Sequence, residues 1–223
     1  MTAASAFIIT VDGPSAAGKG TLAKRLAKHF GFAFLDTGAL YRGVGLTLLR
    51  QDHDPADVAK AVAAAESLNP GILGDPELRT EAASRSASIV AAIPGVRAAI
   101  LNWQRDFAHR PPNGSRGSVL DGRDIGTVVC PDAPAKLFIT ASLEARAQRR
   151  LKELQARQLQ QGGETAIYAR VLQDMQERDA RDQGRSISPT KAAADAKIID
   201  TSDLTADQVF DQALAFVMSK MKA

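Results

Sequence analysis

Between the apolar run Phe7-Ile8-Ile9-Thr10-Val11 and a helix-forming stretch lies Asp12-Gly13-Pro14-Ser15-Ala16-Ala17-Gly18-Lys19-Gly20-Thr21. Its residue types suit one task, the holding of a phosphate. Glycines let successive backbone N–H groups converge on one anion, and the N-terminus of the following helix adds its partial positive charge. Lys19 supplies a full charge for a β- or γ-phosphate, and a hydroxyl can join a magnesium shell. The strict spacing G-x-x-x-x-G-K-[ST] is missed by one position, because residue 20 is Gly and the hydroxyl comes at Thr21. A Gly-rich turn that binds nothing is the competing reading. The strand before, the helix after and the lysine in register weigh heavily against it.

Other chemistries are poorly supplied. The asparagines are Asn69, Asn102 and Asn113, and none precedes a lysine as a guanine-reading Asn-Lys-x-Asp would require. Asp121 closes an apolar run but is followed by Gly122, not by a glutamate placed to activate water. Transfer to an acceptor other than water is therefore favoured. His29, His53 and His109 share no metal-like spacing and read as surface residues, so no zinc site is expected. The single Cys130 follows Val128-Val129 and reads as a buried, inert thiol in a reducing compartment.

The elements that must position the loop follow from the apolar pattern. Phe7–Val11, Ala33–Leu35, Ser118–Leu120, Lys136–Thr140 and Lys197–Ile199 are short β-like runs, each ending in polar or turn residues. A helix is predicted from Lys19 to about Phe30, with Leu22, Leu26 and Phe30 four apart and Gly31 closing it. Strands separated by helices imply parallel βαβ units with helices on both faces of the sheet. Residues 51 to 116 and 142 to 186 interrupt this rhythm and read as insertions on one α/β core. The first is helical, broken at Asn69-Pro70-Gly71, Gly74-Asp75-Pro76 and Pro111-Pro112-Asn113-Gly114; the second carries a Gly162-Gly163 break between two helices.

Composition bounds the rest. The 223 residues are 45% apolar and 24% charged, enough for a sizeable core without disulfides. Lys and Arg number 28 against 25 acidic residues, too balanced for a surface dedicated to nucleic acid. No apolar run approaches the roughly 20 residues of a membrane span. Met1 to Ala6 carries no Lys or Arg, and Asp12-Gly13-Pro14 cuts off the apolar segment, so no signal peptide is expected. A cytoplasmic, soluble protein with no membrane partner is the expectation.

Four motifs in order carry a family resemblance over nearly the whole chain. Gly13-Pro14-Ser15-Ala16-Ala17-Gly18-Lys19-Gly20-Thr21, Asp36-Thr37-Gly38-Ala39-Leu40-Tyr41-Arg42, Asp121-Gly122-Arg123-Asp124-Ile125-Gly126-Thr127 and Glu177-Arg178-Asp179-Ala180-Arg181-Asp182-Gln183-Gly184-Arg185 resemble those of the bacterial-type cytidylate kinases. The resemblance implies a P-loop three-layer α/β fold over residues 1–223. A five-stranded parallel core (6–37, 117–145, 186–223) would carry a monophosphate-binding insertion (about 38–116) and a short lid (about 146–185). It implies transfer of the ATP γ-phosphoryl group to CMP or dCMP; separately, no long apolar seam demands a partner, so a monomer is expected. UMP, shikimate or a coenzyme precursor are the alternative acceptors, and a nucleotide-binding module without turnover is a further alternative.

By similarity, residues Gly13 to Thr21 bind ATP. Arg42, Arg123 and Arg185 hold the acceptor phosphate, and Lys19, Arg123 and Arg185 neutralise the moving phosphoryl group. Ser88, Arg97 and Asp124 lie where the family reads cytosine, Arg178 and Asp182 where it holds the sugar. Thr37 stands for the usual Ser in the acceptor motif. Asp124 also makes sense chemically, since a carboxylate accepts from the cytosine N4 amine and repels a uracil carbonyl. Thr21 and Asp121 would hold Mg²⁺, directly or through water. Tyr41 either lines the acceptor cleft or packs between helix and sheet. Arg146, Arg149 and Arg150 precede the lid and are candidates for closing over ATP, Arg149 foremost; taken alone they fit a solvated face with Glu144 and Glu153. The insertion near Leu68–Thr80 is shorter than in many members, and its prolines argue against a hairpin there.

Two further expectations rest on geometry. Lys19 should meet solvent in the empty protein. Reading Ile167 to Arg185 as one helix puts Tyr168, Val171, Met175, Arg178, Asp182 and Arg185 on a single stripe. That stripe starts apolar and turns charged, as a helix would if it ran from core into a ligand cleft.

Overall fold

The computed structural model describes residues 6–156 and 164–222. At its centre are five parallel strands, β1 (Phe7–Asp12), β2 (Ala33–Asp36), β3 (Gly117–Gly122), β4 (Ala135–Thr140) and β5 (Lys197–Asp200), in the order β2-β3-β1-β4-β5. The strands match the five expected runs to within two residues at either end. Ile9, Val11, Val119, Leu137 and Ile139 are all but inaccessible, which is why these strands read as near-continuous apolar runs rather than alternating ones. The chain leaves β1 towards β2 beyond β3, whereas β4 joins β1 on the opposite side. Connections that diverge in this way open a crevice at the carboxyl ends of the strands, where ligands of α/β sheets sit.

Helix α1 (Lys19–Phe30) has the predicted bounds, with Leu22, Ala23, Leu26 and Ala27 buried on the sheet and Gly31 closing it in a left-handed conformation. The C-terminal helix α8 (Ala206–Met221) lies beside α1 and buries Val209, Ala213 and Val217 in the same cluster. The opposite face is covered by α5 (Pro94–His109), through Leu101, Trp103, Phe107 and Ala108, and by a one-turn π-type segment, Ile125–Val129. These three layers are the expected α/β arrangement. The sequence pattern carries no signal for the segment Ile125–Val129.

Between β2 and β3 stand α2 (Thr37–Arg50), α3 (Val58–Glu66), α4 (Glu81–Val90) and the start of α5. Their shared core is built largely of small residues, Ala61, Ala64, Ala65, Ala87 and Ala91, around Val44, Leu48 and Ile100. Pro70–Gly74 and Pro76–Arg79 are 3₁₀ turns, each opened by proline and capped by Asn69 or Asp75, so the prolines do exclude a hairpin here. After β4, α6 (Leu143–Ala156) and α7 (Glu164–Gln183) pack as a pair through Leu151, Leu154, Val171 and Met175, and Ala16 of the phosphate-type loop touches this cluster. The Gly162-Gly163 break lies outside the described residues.

Helix α7 stops at Gln183 because Gly184 disfavours continuation and the Thr190 N–H takes the Asp182 carbonyl at 2.9 Å; Arg185 is therefore past the helix. His53 is half-buried, not a surface residue like His29 and His109. Cys130 is buried as read, and burial pushes its thiol up to about 12.

Candidate active site

The loop after β1 is shaped by a contact that admits no side chain. Gly13 has φ +140°, and a Cβ there would lie 1.9 Å from the Ile139 carbonyl oxygen. The loop is thus pressed onto β4 and delivers Gly18 and Lys19 to the mouth of the crevice. Lys19 Nζ donates to the Pro14 carbonyl at 2.8 Å and stands 3.9 Å from Asp121 Oδ1 at the end of β3. Its side chain is only 6% exposed, so the expectation that it meets solvent is wrong. Burial pushes its ammonium down to about 7, the Arg123 guanidinium adds to that, and Asp121 pulls the other way. Burial likewise lifts the Asp121 carboxyl above the usual range, against the pull of Lys19. A Cβ at residue 20 would come to 3.2 Å from Asp121 Oδ2, a tight approach at the position that breaks the strict loop pattern.

The wall opposite the loop comes from the ends of β2 and β3. Thr37 is buried and donates to the Asp121 carbonyl at 2.8 Å. Asp36 caps α2 through the Ala39 N–H and holds Arg42 at 2.6 Å. Asp36 heads the acceptor motif in the sequence; its capping role follows from its place directly before a helix.

Asp124 is 4% exposed and bonded to the Arg97 guanidinium, which also donates to the Ala91 carbonyl at 3.3 Å and lies over the Tyr41 ring, 5.5 Å from its centroid. Tyr41 therefore does both of the things open to it: it is buried, and it lines the cleft beside Arg97. The carboxylate that makes a cation tolerable in the first turn of α5 is Asp124.

At the far end Asp182 is the hub of an arginine cluster. Arg123 Nε approaches it at 3.1 Å, Arg185 Nη2 at 2.5 Å and Arg178 Nε at 3.9 Å. Burial alone would raise the Asp182 carboxyl; Arg123, Arg185 and Arg178 outweigh it and hold the group below the usual carboxylate range. Arg178 is pushed down to about 10, by burial first and by Arg123 second. The Nε atoms of Arg178 and Arg185 are buried without a hydrogen-bond partner. Orphaned cationic donors of this kind are costly unless an anion arrives. Ser88 donates to Asp182 at 3.4 Å and so joins the arginine cluster.

All of these groups line one cavity of about 310 Å³, which also contains Thr21. The arginines before α7 part company. Arg150 lines the same cavity and is paired with Glu81 and Glu153. Arg146 is buried beneath the loop, held by Asp179 at 2.7 Å, the Ala141 carbonyl at 3.1 Å and the Ser15 carbonyl at 3.4 Å. Arg149 lies elsewhere, in a second cavity of about 210 Å³ on the outer side of the loop, donating to Thr201 Oγ1 at 2.9 Å. Gly18 and Thr21 border both cavities, so a ligand whose phosphates cross the loop can reach from one into the other.

The profile of the cytidylate kinase family matches residues 9–219. The chain is 58% identical over 213 residues to a cytidylate kinase of Paramagnetospirillum magneticum, covering 96% of this chain and 98% of that one. It is 54% identical over 214 residues to a cytidylate kinase of Rhodospirillum rubrum, with the same coverage. Among solved structures, an uncharacterized protein from Eubacterium ventriosum shares the fold at a TM-score of 0.50 and 17% identity, over 96% of this chain and 98% of that one.

Proposed function

The chain belongs to the cytidylate kinase family, and on that premise we propose that it transfers the γ-phosphoryl group of ATP to CMP or dCMP, giving ADP and CDP or dCDP. The observation that carries this reading is the pairing of two recognition devices in one cavity: the buried Asp124–Arg97 pair, and the arginine cluster with its orphaned N–H groups. The first suits a cytosine edge. Asp124 accepts from the N4 amine, and Arg97 donates to the acceptors of the same ring. A uracil would turn a carbonyl towards the Asp124 carboxylate, which disfavours UMP as the alternative acceptor. The second device suits a phosphate dianion. Arg42, Arg123 and Arg185 hold it, while Arg178 and Asp182 flank the sugar, with Thr37, Tyr41 and Ser88 completing the wall.

The chemistry asks little more of the chain. A monophosphate ester has a second pKa of about 6, so near neutral pH its oxygen is already a nucleophile and no general base is needed. Lys19, cradled with the loop N–H groups of Ser15 to Gly20, draws charge off the transferring group, and Arg123 and Arg185 meet it from the acceptor side. On the donor side, the base of ATP would occupy the outer cavity beside Arg149, with its phosphates crossing at Gly18 and Thr21. Nucleotide phosphoryl transfer typically uses a divalent metal, and Mg²⁺ fits the Thr21 hydroxyl and the Asp121 carboxylate. These are hard oxygen donors on one cavity, beside the place for phosphate oxygens. When bound, the ion neutralises charge on the β- and γ-phosphates.

A cavity of about 310 Å³ suits small nucleotides rather than a nucleic-acid polymer, and we propose that the protein acts on them as a monomer in the cytoplasm. Among the described residues no single helix is long and apolar enough to cross a membrane. A coupled ATP assay with CMP, dCMP, UMP, AMP and GMP, with and without excess EDTA, tests the reading. CMP and dCMP should turn over well ahead of the others, and EDTA should abolish turnover. Absence of turnover with every monophosphate would overturn the kinase assignment, and full activity in EDTA would overturn the metal.

A further inference from the structure

We propose that Asp12 is a positioning residue for acceptor specificity, clamping the turn that presents Asp124 to the base. The proposal rests on the reading of Asp124 given above. Asp12 ends β1 and is 4% exposed, and both of its carboxylate oxygens are taken up by a turn far away in the sequence. One carboxylate oxygen accepts the Ile125 N–H at 2.8 Å and the other accepts the Gly126 N–H at 2.8 Å. These are the first two amides of the turn Ile125–Val129, and an amide at the start of a turn has no partner within it. Asp12 supplies both partners from a strand more than a hundred residues earlier in the chain.

The far end of the turn is held as well. Arg105, on the same helix as Arg97, donates from Nε to the Val129 carbonyl and from Nη2 to the Val128 carbonyl, each at 3.0 Å. A Cβ at Gly126 would lie 2.9 Å from Thr10 Oγ1, so the turn rests directly on β1. Asp124 immediately precedes the clamped amides, at φ −142° and ψ 22°, and its carbonyl accepts from Val128 at 2.9 Å. The direction in which its carboxylate leaves the backbone is thus set by a turn fixed at both ends. Among the described residues, the only carboxylate on these two amides belongs to Asp12. With Arg97 and Arg105 on one helix, the turn and the guanidinium that meets Asp124 share a common frame.

An aspartate that merely stabilised the fold would affect all substrates alike. Asp12→Asn keeps the shape but turns an NH₂ towards one of the two N–H groups, so one end of the clamp opens. A misplacement of this order can cost about 100-fold in rate. We expect kcat/KM for CMP to fall by roughly 10- to 100-fold, kcat/KM for UMP to fall much less, and KM for ATP to stay within about twofold. Arg105→Met, at an exposed side chain that releases only the two carbonyls, should lower the CMP-to-UMP ratio in the same direction by a smaller factor. It decides the matter if Asp12→Asn does not fold. An unchanged CMP-to-UMP ratio in the folded variants, with or without loss of overall activity, overturns the proposal. The parent protein is measured first, and a parent indifferent between CMP and UMP would instead remove the assignment of Asp124. In that event, amide exchange at Ile125 and Gly126, protected in the parent and fast in Asp12→Asn if the clamp exists, judges the clamp separately.

Discussion

A Lys19→Met variant loses phosphoryl transfer by on the order of 10²–10³-fold or more, the scale of a lost transition-state charge contact, while it folds and gains in melting temperature relative to the parent as pH falls. The catalytic half follows from placement: Lys19 is the cation of the loop itself, with Arg123 the next positive group across the cavity. The folding half has a different basis from solvent exposure, because the ammonium is buried. Desolvation and Arg123 lower its pKa to about 7 from 10.5, so charging it opposes folding. A depressed folded-state pKa contributes stability that is present above the unfolded value and is lost as pH falls through the folded one. Relative to methionine, the parent should therefore lose ground as pH falls from about 10 to about 7, and the gap in melting temperature should be fully developed near pH 6. Melting curves from pH 6 to 10 and coupled assays check both halves. Near-normal turnover, an unfolded variant or a gap independent of pH would contradict them.

Asp182→Ala and Arg185→Ala should separate folding from binding. Asp182 is nearly inaccessible and is the carboxylate that Arg123, Arg178 and Arg185 share. Its removal leaves buried cations facing one another, which costs about 3 kcal/mol, the lower end for breaking a buried pair because the cleft side is open to water. Arg185 is itself destabilised as a cation by burial, although Asp182 pulls the other way, and Arg97 and Arg123 repel it. Arg185→Ala should therefore melt close to the parent yet bind CMP roughly 10- to 100-fold more weakly, the loss of a hydrogen bond to a charged group. ATP affinity should be little changed in Arg185→Ala. Asp182→Ala should lose both stability and CMP affinity. Calorimetric titration with each nucleotide and thermal melts read these quantities; CMP binding unchanged in Arg185→Ala, or Asp182→Ala as stable as the parent, would contradict the arginine cluster as the phosphate site.

The parts legible in the sequence are those set by local pattern. Ile8, Ile9 and Val11 are buried on both faces and announce a strand; Leu22, Leu26 and Gly31 announce α1 and its end. Asn69, Pro70 and Pro76 announce turns and exclude a hairpin. The parts that escaped depend on partners distant in sequence. The turn at Ile125–Val129 carries no helical spacing of its own and exists because Asp12 and Arg105 hold its two ends. That Arg97 and Asp124 meet each other, that Arg149 turns to Thr201 while Arg150 faces the cleft, and that Lys19 is buried follow only from the packed structure. The charged stripe of α7 was visible as far as Asp182, but Gly184 ends the helix, and Arg185 returns to that carboxylate from outside it.

On the assignment proposed above, Asp124, paired with Arg97, selects a cytosine-bearing acceptor for the phosphoryl group held at Lys19. The most direct test of this assignment is a competition: limiting ATP with equal concentrations of CMP and UMP, and the nucleoside diphosphates separated and counted. The product ratio is then the ratio of the two kcat/KM values. A single well-placed base contact gives about 1–3 kcal/mol of discrimination, so CDP should exceed UDP by roughly 5- to 150-fold, and the excess should collapse in Asp124→Ala. Equal amounts of CDP and UDP from the parent protein would contradict the account.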